Sequence, residues 1–152
     1  MPPLRPALAI ALVALSVACS EATNGTGSIS KRIGEVARSP DTREVDLSKL
    51  TTFGWDRFYA LKPGTTREEV CQFIGAKRNV CGRIIRIERA PADHMYLVFA
   101  LGDQLTHVEL HALENGQFDF SFPEAGQPRS ASVFKVRRSL SGSGEVIWLE
   151  PK

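Results

Sequence analysis

Residues 95–122, MYLVFALGDQLTHVELHALENGQFDFSF, decide the fold. This stretch contains three apolar or alternating runs separated by two turn signals, Gly102-Asp103 and Glu114-Asn115-Gly116. Asn-Gly is the stronger signal because it tolerates the positive φ angles that two-residue hairpins require. The first run is apolar on both faces, which is typical of a central strand covered on both sides. The stretch therefore predicts a three-stranded antiparallel meander.

Other apolar runs add strands and a core around this meander. Further strands are predicted at residues 53–61, 83–89, 133–138 and 145–149. Phe118, Phe120 and Phe122 recur with period two and should fill the core. We expect an α+β fold in a single domain over residues 47–152, with one main short helix packed on an antiparallel sheet of about five to six strands.

The main helix begins after Pro63-Gly64. Thr65 with Glu68, and Thr66 with Glu69, are alternative capping boxes that would satisfy free amide groups of the first turn. Val70, Phe73 and Ile74 then recur at helical spacing, and Gly75 is a typical C-terminal stop.

This helix carries a resemblance to a known family. Gly64, Thr66, Val70 and Ile74-Gly75 resemble the G-x-[ST]-x₃-V-x₃-[LI]-G helix of SmpA/OmlA-type outer-membrane lipoproteins, which share a β-lactamase-inhibitor-like fold. The wider stretch from residue 55 to 75 looks like other small bacterial envelope lipoproteins. The resemblance implies short helices before an antiparallel meander, and a scaffold or binding module of the envelope that is not catalytic.

The N-terminus has the pattern of an export signal. Arg5 provides a short positive region, and residues 8–17 form an apolar run too short to span a bilayer as a permanent helix. Ser16-Val17-Ala18 suits an ordinary signal peptidase. The same residues, extended from Leu15 to Cys19, resemble a bacterial lipobox, in which the cysteine becomes the lipidated first residue. We therefore expect a signal peptide over residues 1–18.

Lipidation of Cys19 with acyl chains such as palmitate would anchor the protein to a membrane. In lipoproteins of this kind, Ser after the cysteine, here Ser20, accompanies sorting to the outer membrane. We expect an outer-membrane lipoprotein that faces the periplasm. The alternative is a soluble periplasmic or secreted protein, which cleavage after Ala22 would produce. Residues 19–46 are predicted to be a flexible tether, although Ile29, Ile33 and Val36 have near-helical spacing.

The remaining cysteines, Cys71 and Cys81, form an even pair in an oxidising compartment. A disulfide between them is the expected pairing. A catalytic redox pair is the alternative, but it lacks the Cys-x-x-Cys spacing.

Charge and motifs narrow the classes of function. Removal of residues 1–18 takes only Arg5 and leaves 18 basic against 17 acidic residues, so no nucleic-acid footprint is present. No Gly-x-Ser-x-Gly elbow, phosphate loop or dinucleotide fingerprint occurs, and no cofactor is predicted.

His107, Glu109 and His111 are candidate metal ligands because alternate residues of a strand share one face. The two histidine backbones would lie about 13–14 Å apart, however, and a solvent-facing polar strand is the simpler interpretation. We therefore expect a non-enzymatic envelope protein that binds another envelope protein or a small ligand. The alternatives are a periplasmic metal-binding protein and an inhibitor of a secreted enzyme.

Overall fold

The computed structural model describes residues 26–75 and 78–152 of the chain. Within these residues, four α-helices and two four-stranded sheets form an α+β fold, which confirms the predicted class. The helices are α1 (Ser28–Arg38), α2 (Leu47–Leu50), α3 (Arg67–Phe73) and α4 (Arg78–Ile84). The strands are β1 (Glu44–Asp46), β2 (Arg57–Leu61), β3 (His94–Leu101), β4 (Gln104–Ala112), β5 (Gln117–Phe118), β6 (Gln127–Pro128), β7 (Val133–Ser141) and β8 (Gly144–Pro151).

The first sheet has the order β4-β3-β2-β6 and is antiparallel throughout. Its centre confirms the first two strands of the predicted meander. Gly102 adopts a φ of 59° at the turn between β3 and β4, a conformation that favours glycine. β3 is a central strand, as its apolar character on both faces predicted.

The second sheet has the order β1-β7-β8-β5, so the strands divide between two sheets and do not form the single sheet expected. The prediction of a third meander strand beside β4 is wrong, because Phe118 of β5 pairs in parallel with Leu149 of β8. A 3₁₀ turn (Leu113–Asn115) replaces the expected hairpin, and Gly116 follows it with a φ of 125°. The chain is thereby directed away from β4 and into the second sheet.

Two apolar clusters lie on opposite faces of the first sheet. On β2, Phe58 and Ala60 join one cluster and Tyr59 joins the other, because alternate residues of a strand point to opposite faces. On β3, Leu97 and Phe99 face the second sheet and α1, whereas Tyr96 packs with α3 and α4. The first sheet is therefore the middle layer of the fold.

The predicted tether is wrong from residue 26 onward. Ser28–Arg38 is helix, and Ile29, Ile33 and Ala37 lie in the core with at most 2% exposure. Glu44–Asp46 then pairs with β7. The segment is mostly polar, so its few apolar residues, which lie on one narrow side of the helix, did not predict a buried element. Packing of these residues on the two sheets stabilises the helix. The folded domain therefore includes residues 26–46 in addition to the predicted residues 47–152.

The strand predicted over residues 83–89 is also wrong. α4 ends at Ile84, and the following residues form a loop in which Arg89 makes a single bridge to Thr66. The Tyr96 hydroxyl donates a hydrogen bond to the Ile87 carbonyl at 2.7 Å. Ile85 is buried against α3 and α4. An apolar residue is needed at this position for packing on the helices, and not because the segment is a strand.

α3 begins with the second of the two alternative capping boxes. The Thr66 hydroxyl accepts a hydrogen bond from the Glu69 amide, and the Glu69 carboxylate accepts one from the Thr66 amide at 2.6 Å. The bonds that the Glu69 carboxylate accepts from the Thr66 amide and the Thr66 hydroxyl hold the pKa of Glu69 below its usual value.

Candidate functional site

The edge strand β4 meets the start of α1. Thr26 forms a parallel bridge with Leu110, and the Gly27 amide donates to the Leu110 carbonyl at 2.9 Å. The segment before α1 therefore enters the fold alongside β4. Both faces of β4 carry buried residues, so the prediction of a solvent-facing polar strand is wrong.

Glu109 stabilises the N-terminus of α1 from a distant part of the sequence. Its carboxylate accepts hydrogen bonds from the amides of Ser30 at 2.7 Å and Ile29 at 3.3 Å. Its side chain is 7% exposed, and its negative charge lies at the positive end of the helix dipole. A Cβ atom on Gly27 would lie 2.2 Å from the Glu109 carboxyl carbon. A side chain at residue 27 would therefore displace the Glu109 carboxylate from the amides of α1.

His107 lies beside this carboxylate. Its Nε2 and the Glu109 Oε2 are 2.8 Å apart and share a hydrogen bond, and the imidazole packs against Phe53 with 4.8 Å between ring centroids. The side chain is 33% exposed. His107 thus contacts both the carboxylate that caps α1 and the solvent.

His111 is fully buried and does not contact the same residues as His107. Its Nε2 donates a hydrogen bond to the Gly116 carbonyl, and its ring packs on Phe118. Burial lowers the pKa of His111 to about 4, although the Gly116 bond and the Glu109 charge act in the opposite direction. The imidazole is therefore neutral near pH 7.

The structure brings two of the three candidate metal ligands together. His107 and Glu109 are in contact, whereas the Nε2 of His111 is occupied by a backbone carbonyl. Across residues 26–75 and 78–152, no group of three His, Cys, Asp or Glu side chains is close enough to hold one metal ion. The predicted three-ligand set is thus not assembled in these residues: His111 is buried at the turn before β5, where its Nδ1 has no hydrogen-bond partner.

His94 forms a second polar connection to the start of α1. The Thr26 hydroxyl and His94 Nε2 are 3.0 Å apart, and His94 Nδ1 lies 2.7 Å from the Asp93 carboxylate. The hydrogen bond from His94 holds the pKa of Asp93 below its usual value. Hydrolases use this order of hydroxyl, imidazole and carboxylate, but their orienting carboxylate is buried, whereas the Asp93 side chain is 80% exposed.

A groove of about 540 Å³ lies between α1, β4 and the segment that follows α4. Its volume is within the usual range for small-molecule sites. The lining residues are Thr26, Gly27, Ser28, Lys31, Ile84, Ile85, Arg86, Ile87, Tyr96, His107, Val108, Glu109 and Leu110.

The groove has an apolar floor and a cationic rim. Ile85, Tyr96 and Leu110 close the bottom of the groove with at most 2% exposure, and its accessible apolar surface comes from Ile84, Ile87 and Val108. Lys31 and Arg86 are exposed on the rim, and neither has an ion-pair partner within the described part of the chain. The groove therefore combines buried apolar surface with positive charge that the described residues do not neutralise.

The predicted disulfide is present. Cys71 of α3 and Cys81 of α4 are bonded, with 5.8 Å between their Cα atoms. Both residues belong to the apolar cluster beneath the first sheet. The bond holds α4 in place and thereby positions Ile85 and Arg86 at the groove.

Sequence reasoning missed the groove because its walls come from three separated segments. The signal that was available is the near-helical spacing of Ile29, Ile33 and Val36, which places Lys31 on the opposite, exposed side of α1. Nothing in the sequence pairs Thr26 with His94, since 68 positions separate them.

The predicted lipidation site, Cys19, and the signal peptide over residues 1–18 lie outside the described residues. Within the described part, no helix has the length and apolar character needed to cross a bilayer.

Comparison with known proteins gives no relative: no family model, no curated protein and no solved structure matches this chain. The resemblance of residues 64–75 to the SmpA/OmlA-type helix therefore stays a prediction.

Proposed function

We propose that this chain is an exported, lipid-anchored protein of the bacterial cell envelope that acts by binding and not by catalysis. Residues 1–18 have the pattern of a signal peptide, and Cys19 stands at the lipidated position of a lipobox. The observation that carries the binding role is the groove between α1, β4 and the segment after α4. We expect the protein to be sorted to the outer membrane and to face the periplasm.

The position of α1 supports an action close to the membrane. Thr26, which lines the groove, lies seven positions after Cys19. Seven residues span at most about 25 Å even when fully extended. An anchor at Cys19 would therefore keep the groove within about that distance of the lipid headgroups, where it would meet membrane components or envelope proteins.

The intact mass of the mature protein from membrane and soluble fractions tests the anchor. We expect a membrane-bound chain that begins at Cys19 and carries a diacylglyceryl group and an additional acyl chain. A lipid-free chain that begins near Thr23 would overturn the lipoprotein proposal and favour the soluble periplasmic or secreted alternative.

The non-catalytic part of the proposal has its own test. The hydroxyl–imidazole–carboxylate series of Thr26, His94 and Asp93 is the arrangement in the described residues that most resembles hydrolase machinery. We expect no turnover of p-nitrophenyl esters above that of the His94→Asn variant. Turnover by the wild-type chain that both Thr26→Val and His94→Asn abolish would contradict a binding-only role.

Two alternative functions have narrower support. A metal-binding protein would have to use His107 and Glu109, which are in contact, with a further ligand from outside the described residues, and elemental analysis of protein purified without chelator would test it. An enzyme inhibitor is favoured by the β7–β8 hairpin, where the Leu140 side chain is 88% exposed near the turn. Capture of envelope hydrolases by wild-type protein, and not by Leu140→Asp, would support that function.

A further inference from the structure

We propose that the groove between α1, β4 and the segment after α4 binds a free fatty acid, with the acyl chain on the floor and the carboxylate at Lys31 and Arg86. This inference rests on the proposed function, because an anchored protein would meet such a ligand at the membrane. It names the ligand class that the groove would take.

The floor suits an acyl chain. Ile84 is 38% exposed, and Ile87 and Val108 are partly exposed, so these three side chains supply the apolar surface that a ligand can reach above the buried Ile85 and Leu110. The Tyr96 hydroxyl is already bonded to the Ile87 carbonyl. Tyr96 therefore presents no free hydroxyl to a ligand, and the apolar surface of the groove is the side chains of Ile84, Ile87 and Val108.

The rim suits an anionic head group. Lys31 extends from α1 and Arg86 from the segment after α4, so the two cations lie on two walls of the same groove. The Glu109 carboxylate also borders the groove, but amides of α1 and the His107 ring hold it. The unpaired charge on the rim is therefore positive.

The length of the anchor segment supports a ligand from the bilayer. The groove lies within about 25 Å of a lipid attached at Cys19, which is a short transfer distance for a single-chain lipid. A ligand of this kind combines an apolar tail with one negative charge, and both features find complementary surface in the groove.

The test uses the mature chain with Cys19→Ser, exported to the periplasm so that Cys71 and Cys81 become oxidised. Calorimetric titration with octanoate, decanoate and dodecanoate, each below its micelle concentration, should give saturable one-to-one binding. Affinity should rise two- to fourfold per added methylene, as expected when each group leaves water for an apolar surface. Decyltrimethylammonium, with the same tail and the opposite charge, should bind at least tenfold more weakly than decanoate.

Two variants locate the site. Arg86→Glu should weaken decanoate binding by about tenfold or more, because it replaces an attractive charge with a repulsive one. Lys135→Glu makes the same change of charge on an exposed position of β7, in the second sheet, and should change affinity by less than twofold. Val108→Trp should block the groove, and its melting temperature shows whether it has folded.

Three results would overturn the inference: no saturable binding of decanoate to the folded chain, equal affinity for the cationic detergent, or equal effects of the Arg86 and Lys135 variants. Because this chain carries no lipid, the result is independent of the mass measurement on the native protein. Decanoate binding with a lipid-free native chain would reject the anchor alone. A lipidated native chain without decanoate binding would reject the ligand alone.

Discussion

The hydroxyl oxygen of Ser30 accepts a hydrogen bond from the side-chain amide of Asn115 at 3.1 Å, across 85 positions of sequence. The same oxygen accepts a bond from the Ala112 amide at 3.1 Å. Ser30 and Asn115 are both buried, and the Arg38 guanidinium donates to the side-chain Oδ1 of Asn115 at 2.7 Å. This polar contact fixes α1 against the end of β4 and thereby sets one wall of the groove.

Ser30→Ala should lower the free energy of unfolding by about 1–3 kcal/mol, because it leaves two buried donors without their acceptor. Urea unfolding at pH 7 measures the change. Ser28→Ala, on an exposed position of the same helix, is the matched control and should change stability by less than about 0.5 kcal/mol. Equal effects of the two substitutions would show that the Ser30 contact does not hold α1.

Arg138→Met should destabilise the fold by about 1–3 kcal/mol. The Arg138 guanidinium donates to the carbonyls of Ala37 at 2.6 Å and Ser39 at 2.7 Å, and so satisfies groups at the C-terminal end of α1. Arg137→Met removes the neighbouring arginine, which pairs with the partly exposed Glu150 and lies 5.4 Å from the centroid of the Trp148 ring, and should destabilise the fold less than Arg138→Met. Thermal melting ranks the two variants, and the reverse order would refute this role for Arg138.

Stability should decrease as the pH falls from about 6.5 toward 4. The pKa of His111 is about 4 in the folded chain against 6.5 for an ordinary histidine, so the unfolded chain binds more protons throughout this window. The full effect is on the order of 3 kcal/mol. The free energy of unfolding of wild-type protein and of His111→Gln, measured at several pH values, should diverge across the window.

The difference between those two proteins isolates His111. The pKa values of Asp46, Glu69 and Asp93 are lowered by hydrogen bonds, so these groups remove stability as the pH falls below the usual carboxyl range. Their contribution is the same in both proteins. Parallel pH curves for wild-type and His111→Gln would contradict the assignment.

Loss of the Cys71–Cys81 bond should lower the free energy of unfolding by about 3 kcal/mol, the value that the chain-entropy model gives for a separation of 10 residues. The Cys71→Ala, Cys81→Ala double variant measures this cost without reductant. Decanoate affinity should also fall, because the bond positions the segment that bears Arg86. An unchanged unfolding curve would show that α4 needs no covalent attachment.

The sequence predicted elements wherever a local pattern and the final packing agree. β3 is apolar on both faces and lies between β4 and β2 with an apolar cluster on each side. The capping box at Thr66 and the Cys71–Cys81 bond involve residues close in sequence, and both were predicted. Residues 83–89 alternate like a strand, yet packing of α3, α4 and the disulfide decides their conformation.

The sequence by itself determined the α+β class, the cysteine pair and the capped start of α3. Each of these depends on residue type and spacing over a few positions. Only the tertiary structure decided that Ser28–Arg38 is helix, that β5 joins the second sheet and that a groove lies beside β4. The partners in those features, such as Glu109 for the N-terminus of α1, lie about 80 positions away. A residue pattern along the chain does not predict a contact between positions so far apart, because the contact forms only when the sheets bring the two segments together.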